Sequence, residues 1–152
     1  MNEYHKISET DWAYLSGILD GEGCLRVGAY KDSRTGQKAF RSSIQVAMTD
    51  IPVIEWISNT FGGRFYAAPR PGVSKPVANW VVHGVKAAEI ASHCMKYLKA
   101  KKNQAELLIE FAETVRNTGV AGHSKEIHEA RGRMAELSTK LNAKGIQGGD
   151  LP

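Results

Sequence analysis

The sequence predicts an α+β domain built on a four-stranded antiparallel sheet. Four short runs alternate apolar and polar residues in two consecutive pairs, and five other segments space their apolar residues at three and four. Clusters of Gly, Pro, Asp and Ser punctuate the chain between these runs. At 152 residues the chain is long enough to bury one ordinary core without disulfide or metal staples.

The first helix is capped by Ser8 or Thr10, with Glu9 or Asp11 favourable in its first turn. Trp12, Leu15, Ile18 and Leu19 form its buried stripe, and Gly21 and Gly23 stop it. From Cys24 to Lys31, Leu25, Val27 and Ala29 alternate with Arg26, Gly28 and Tyr30. After the turn Asp32 to Gly36, Phe40, Ser42, Ile44 and Val46 alternate with Arg41, Ser43 and Gln45. Asp50 or Thr49 caps a helix carrying Pro52 in its first turn and ending at Gly62-Gly63. Strands at Arg64 to Ala68 and Val77 to His83 flank a Pro- and Gly-rich linker. Helices follow over Val85 to Tyr97, Lys102 to Arg116 and Ser124 to Asn142, the last built on Ile127, Ala130, Met134, Leu137 and Leu141. The organisation expected is a core over 1–122, an appended amphipathic helix over 123–143 and a glycine-rich, unfolded tail over 144–152.

Charge is distributed unevenly. Between Gly62 and Gln104 there are eight cations (Arg64, Arg70, Lys75, Lys86, Lys96, Lys99, Lys101, Lys102) against the single acid Glu89, a footprint suited to a polyanion or to a solvated basic face. Cys24 and Cys94 stand alone, which suggests neither a disulfide framework nor a zinc site. The five histidines show no paired ligand spacing and read as surface or capping groups. No apolar run is long enough for a bilayer, and no signal-like segment opens the chain. The expected setting is a reducing intracellular compartment, the cytoplasm of a bacterium or phage host or an organelle.

The most informative segment is Leu15-Ser-Gly-Ile-Leu-Asp-Gly-Glu-Gly23. Besides its buried stripe, this helix has a second face, Ala13, Ser16, Gly17 and Gly21, nearly free of side-chain bulk. Small residues four apart let two helix backbones approach closely. Glu22 projects at the helix end beside exposed carbonyls, where a hard divalent cation finds oxygen ligands. No second copy of the segment occurs, so the chain is half of whatever the segment builds.

The nonapeptide resembles the LAGLIDADG motif of homing endonucleases, matching at Leu15, Gly17, Asp20 and Gly23 with conservative changes elsewhere. Glu55 to Gly63 and Tyr97 to Glu106 are similar to segments of single-motif members, and the resemblance covers roughly Thr10 to Val115. It implies an αββαββα core whose saddle-shaped sheet lies on double-stranded DNA. It implies a homodimer paired through the motif helices, with Ala13, Ser16, Gly17 and Asp20 at the interface. The implied activity is cleavage of both strands of a long pseudo-palindromic site, as in intron homing. Mg²⁺ or Mn²⁺ would be the cofactor, with Ca²⁺ a non-catalytic substitute and no small-molecule cofactor.

By the same resemblance Glu22 and the Gly21 carbonyl hold metal, Lys101 acts on the solvent network or the developing charge, and Gln104 orders water nearby. Asp20 reads by itself as a helix-end hydrogen-bonding group. Family members carry a polar Gln shortly after the second strand. Met48 falls there in this chain, which leaves the water-ordering role open or passes it to Thr49 or Asp50. Base reading falls to the polar strand face: Arg26, Tyr30, Arg41, Ser43, Gln45, Arg64, Tyr66, Arg70 and Asn79. The alternative is a non-catalytic nucleic-acid binder on the same fold, an RNA maturase or a DNA-binding regulator. A purely structural dimerisation module leaves the basic stretch unexplained.

Overall fold

A computed structural model describes residues 3–68, 72, 75–118 and 124–143. After a short 3-10 turn (Glu3–Lys6), the elements run α1 (Glu9–Glu22), β1 (Gly23–Lys31), β2 (Lys38–Met48), α2 (Ile51–Phe61), β3 (Arg64–Ala68), β4 (Val77–His83), α3 (Gly84–Cys94), α4 (Lys102–Thr118) and α5 (Lys125–Leu141). The strands form one antiparallel sheet in the order β1-β2-β4-β3. The tail beyond Ala143 and the Pro69 to Pro71 part of the linker lie outside the described residues.

The alternation decides the layers. Leu25, Val27, Ile44, Val46, Ala78, Trp80 and Val82 are buried under the helices, where they meet Trp12, Leu15 and Leu19 of α1 and Ile54, Ile57 and Phe61 of α2. The intervening residues form the open face. Gly62-Gly63 turns α2 into β3 at positive φ (76° and 89°). The turn is clamped by Trp80, whose indole N–H donates to the Gly62 carbonyl at 2.6 Å. A side chain at Gly63 would come within 2.5 Å of that indole nitrogen, so the position has no room for one.

The motif helix is capped by Ser8, which accepts the Asp11 amide, while the α2 cap residue Asp50 makes no side-chain cap bond. Gly21 does not stop α1 as expected. The helix runs on to Glu22 and enters β1 at Gly23 with no intervening loop. Gly23 is extended (φ −84°), and a Cβ there would lie 2.7 Å from the Leu19 Cα, so glycine is needed for space, not conformation.

α5 departs most from its sequence reading. Leu137, expected inside, is exposed, whereas Arg131 and Ser138 are buried. The reason is what the helix covers. It lies along the unpaired edge of β1, where the Ser138 hydroxyl accepts the Val27 amide at 2.9 Å and the Asn142 side chain donates to the Leu25 carbonyl at 2.9 Å. Buried backbone groups on a strand edge need polar partners, so the seam selects Ser and Asn over Leu. Arg131 donates to the Thr114 hydroxyl and carbonyl, tying α5 to α4.

Candidate functional site

The end of α1 is held by two side chains that cap opposing helix termini. Asp20 accepts the amides of Lys99 (2.9 Å), Ala100 (3.1 Å) and Lys101 (3.1 Å) at the entry to α4. The Lys101 ammonium donates to the Leu19 carbonyl at 2.8 Å and to the Gly23 carbonyl. A carboxylate thus sits at the positive end of α4 and a cation at the negative end of α1, each the favourable sign. Between them Glu22 and Gly21 are exposed. No hydrogen bond or ion pair among the described residues engages the Glu22 carboxylate.

This geometry brings Glu22, Gly21 and Lys101 to one helix end, while Gln104 is engaged elsewhere. The Gln104 side chain is buried and its amide donates to the Leu141 carbonyl at 3.1 Å, so it anchors α5 and is not placed to order water. Asp20 likewise has both oxygens committed to backbone amides, consistent with a helix-end group. Met48 is half-buried against the core, Ala47 takes the open-face position beside it, and Thr49 and Asp50 are exposed. Among the described residues no group of three His, Cys, Asp or Glu side chains converges as a metal cluster. One chain offers a hard cation one free carboxylate and nearby carbonyl oxygens, a donor set of the right chemistry but short of the shell such a cation takes.

The outer stripe of α1 is open. Ala13, Gly17 and Gly21 are exposed, and a Cβ at Gly17 or Gly21 would meet nothing within 4 Å. Neither glycine has positive φ. Each therefore costs about 1 kcal/mol relative to alanine without serving the single chain. Ser16 does not belong to this stripe. It is fully buried, donating to the Trp12 carbonyl at 2.8 Å and facing Cys94 on α3. The open position next in line is Tyr14, 53% exposed, packed edge-on against Trp56. Tyr14 and Trp56 line a groove of about 540 Å³ with Thr10, Asp11, Pro52 and Val53.

The open face of the sheet is polar and cationic. It carries Arg26, Arg41 and Arg64, and none of the four strands holds a carboxylate. Strand register sets the rows: Cys24, Gln45, Val81 and Arg64 in one, Arg26, Ser43 and His83 in the next, and Ala47, Asn79 and Tyr66 on the other side. Arg41 stacks over Tyr30 at 4.9 Å and Arg64 over Tyr66 at 5.6 Å, while the Gln45 amide donates to Asn79 at 3.3 Å. All the strand residues expected on this face thus share it, except Arg70, which lies outside the described residues. The sequence reading missed His83, although its even spacing from Asn79 on the same strand marks it as a face residue. Burial, then the Arg41 guanidinium, hold its imidazole below the usual histidine range, against a backbone hydrogen bond with Ser42. Lys86 and Lys96 leave the basic patch, ion-paired with Glu3 (3.6 Å) and Glu9 (2.8 Å) behind the sheet.

An α+β core with this strand order, entered directly from a small-faced helix that ends in an exposed carboxylate, is the LAGLIDADG homing-endonuclease fold. No protein-family model and no curated protein sequence matches the chain. Solved structures do. The homing endonuclease I-CvuI, in complex with the I-CreI target and magnesium with DNA not cleaved, superposes with a TM-score of 0.72 at 18% identity, covering 90% of this chain and 85% of that one. The archaeal intron-encoded homing endonuclease I-Vdi141I, complexed with DNA, gives a TM-score of 0.72 at 20% identity, with coverage of 90% and 87%. The LAGLIDADG homing endonuclease I-GzeII, in complex with its DNA target, gives 0.60 at 21% identity, and the match spans 91% of this chain but 44% of that one.

Proposed function

We propose that the chain is a site-specific DNA endonuclease that acts as a homodimer and hydrolyses phosphodiester bonds with a divalent metal. The observation that carries the reading is Glu22: an exposed, unengaged carboxylate at the end of a helix whose outer face is stripped of side chains. The solved structures sharing the fold include DNA complexes, with magnesium or calcium present in those of I-CvuI. Pairing two copies through Ala13, Gly17 and Gly21 brings two Glu22 carboxylates together and makes use of two otherwise costly glycines.

Glu22 and the Gly21 carbonyl would hold Mg²⁺ or Mn²⁺. Such a cation neutralises charge developing at the scissile phosphate and activates water. Lys101 fixes the height of the α1 terminus and adds positive charge beside the phosphate. Arg26, Arg41, Arg64 and Gln45 present donors suited to guanine and adenine edges, and Tyr30 and Tyr66 orient two of the guanidiniums.

A second reading, a non-catalytic binder of RNA or DNA, draws support from Ala47, Met48 and the buried Gln104, which leave few polar groups to order water around Glu22. Selection from a randomised duplex library in Mg²⁺ distinguishes them. Discrete double-strand products that vanish in Glu22→Gln support the endonuclease. Enriched binding with no cleavage, equal in the variant, would establish the binder.

A further inference from the structure

His83 occupies a place on the open face that its neighbours define closely. β4 ends at this residue because Gly84, at φ 66°, turns the chain into α3. The backbone therefore fixes where the imidazole starts. Register sets it in line with Ser43 and Arg26 across three strands. Together with Arg41, Gln45, Val81 and the backbone of Gly28 these residues line a recess of about 180 Å³. Gly28 leaves space that the Arg26 guanidinium uses, since a Cβ there would lie 2.8 Å from its Nη2.

We propose that His83 is a further contact residue of this face, and that docking of DNA on it makes the His83 imidazole take up a proton from solvent. The inference rests on the nucleic-acid reading above. The charged groups around the ring are Arg41 on β2, Arg26 on β1 and Arg64 on β3. On α3 the nearest cation, Lys86, is ion-paired with Glu3. No strand supplies a carboxylate. In the free protein partial burial and the guanidiniums of Arg41 and Arg64 disfavour the imidazolium. A docked polyanion reverses the sign of the local potential and favours it. Binding then takes up a proton, so affinity must rise as pH falls between the free and the bound protonation midpoints. A neutral histidine also offers an acceptor where the arginines offer only donors, and protonation exchanges that acceptor for a second donor.

The test is fluorescence anisotropy of the full chain with a mixed-sequence DNA duplex in EDTA at fixed low salt, from about pH 8 to about pH 5.5. Wild type is expected to gain affinity on acidification more steeply than His83→Gln, by up to about tenfold per pH unit for one proton. His128→Gln, beside Phe40 at the other side of the hairpin, should keep the wild-type slope. NMR titration of the wild-type imidazoles supplies a readout independent of the variant's folding: the His83 midpoint should move up when duplex is added. Equal pH slopes in wild type and His83→Gln, or a His83 midpoint unmoved by DNA, overturn the proposal. Absence of binding by either protein at every pH refutes the nucleic-acid reading itself, and the proton linkage with it.

Discussion

Asp20 and Lys101 cap each other's helices: the Asp20 carboxylate takes three amides at the start of α4, and the Lys101 ammonium returns to the carbonyls of Leu19 and Gly23 at the end of α1. The two side chains thus fix the position from which Glu22 projects. Asp20→Ala should cost about 1–2 kcal/mol, the loss of a cap with several charge-assisted bonds. Urea unfolding measures it, and a change below a few tenths of a kcal/mol would show that solvent replaces the cap.

Glu22→Gln removes one charge and keeps the side chain's size. Metal-dependent cleavage should disappear while binding of the same duplex persists, and binding in EDTA should equal or exceed wild type because a repulsion has gone. Cleavage and gel-shift assays on one protein preparation separate these effects. Joint loss of cleavage and binding would assign Glu22 a structural role instead.

Gly17 separates folding from assembly. Because a Cβ there meets nothing in the single chain, Gly17→Ala should stabilise the monomer by up to about 1 kcal/mol. Gly17→Leu should fold and yet block close helix approach. Sedimentation should then show folded monomer for the leucine variant and dimer for wild type. Gly23→Ala, crowding the Leu19 backbone, should instead fail to fold well.

Buried weak acids set an alkaline limit. Burial pushes the Cys94 thiol up to about 11 from an ordinary 9.0, with Asp20 adding to it and a Ser16 hydrogen bond opposing. Burial, reinforced by Glu3 and Glu89, pushes the Tyr4 phenol up to about 12 from 10.0. Both groups charge on losing a proton, so the stability tied to them is whole below their unfolded values and is lost as pH climbs through the folded ones. The melting temperature should fall from about pH 9 upward, and Cys94→Ala should delay the onset. In the native state only Cys24 should react readily with a thiol reagent, as Cys94 has no exposed surface.

The α5 seam predicts a folding phenotype. Ser138→Ala leaves the Val27 amide on the β1 edge without its partner, and should cost about 1–3 kcal/mol. Light scattering should show increased self-association at elevated temperature, since a bared strand edge recruits others. A variant as stable and as monodisperse as wild type would mean water satisfies the edge.

Much of this was legible in residue spacing. Period-two alternation placed Arg26, Arg41, Ser43, Gln45 and Asn79 on one face because that face is fixed by burial of its opposite. Period and bulk also marked the open stripe of α1 at Ala13 and Gly17. What spacing could not show was which small residue the chain itself uses. Ser16 and Gly17 look alike in sequence, yet one is sealed under α3 and the other is bare. Gln104 and Ser138 were illegible for a related reason: their partners, Leu141 and Val27, are 37 and 111 residues away. His83 is readable from parity with Asn79, although its histidine spacing suggests no metal site.

The direct passage from α1 into β1 has a consequence for how such a chain can diversify. Gly23 sits opposite Val46 and follows Glu22 with no slack. One added residue after Gly23 would turn Leu25 and Val27 outward and Arg26 and Tyr30 into the core. The chemistry of this face can therefore change only by exchanging side chains in place, never by changing length near the carboxylate. The cationic face and the Glu22 carboxylate are held in one fixed frame, in which the side chains can vary and the spacing cannot.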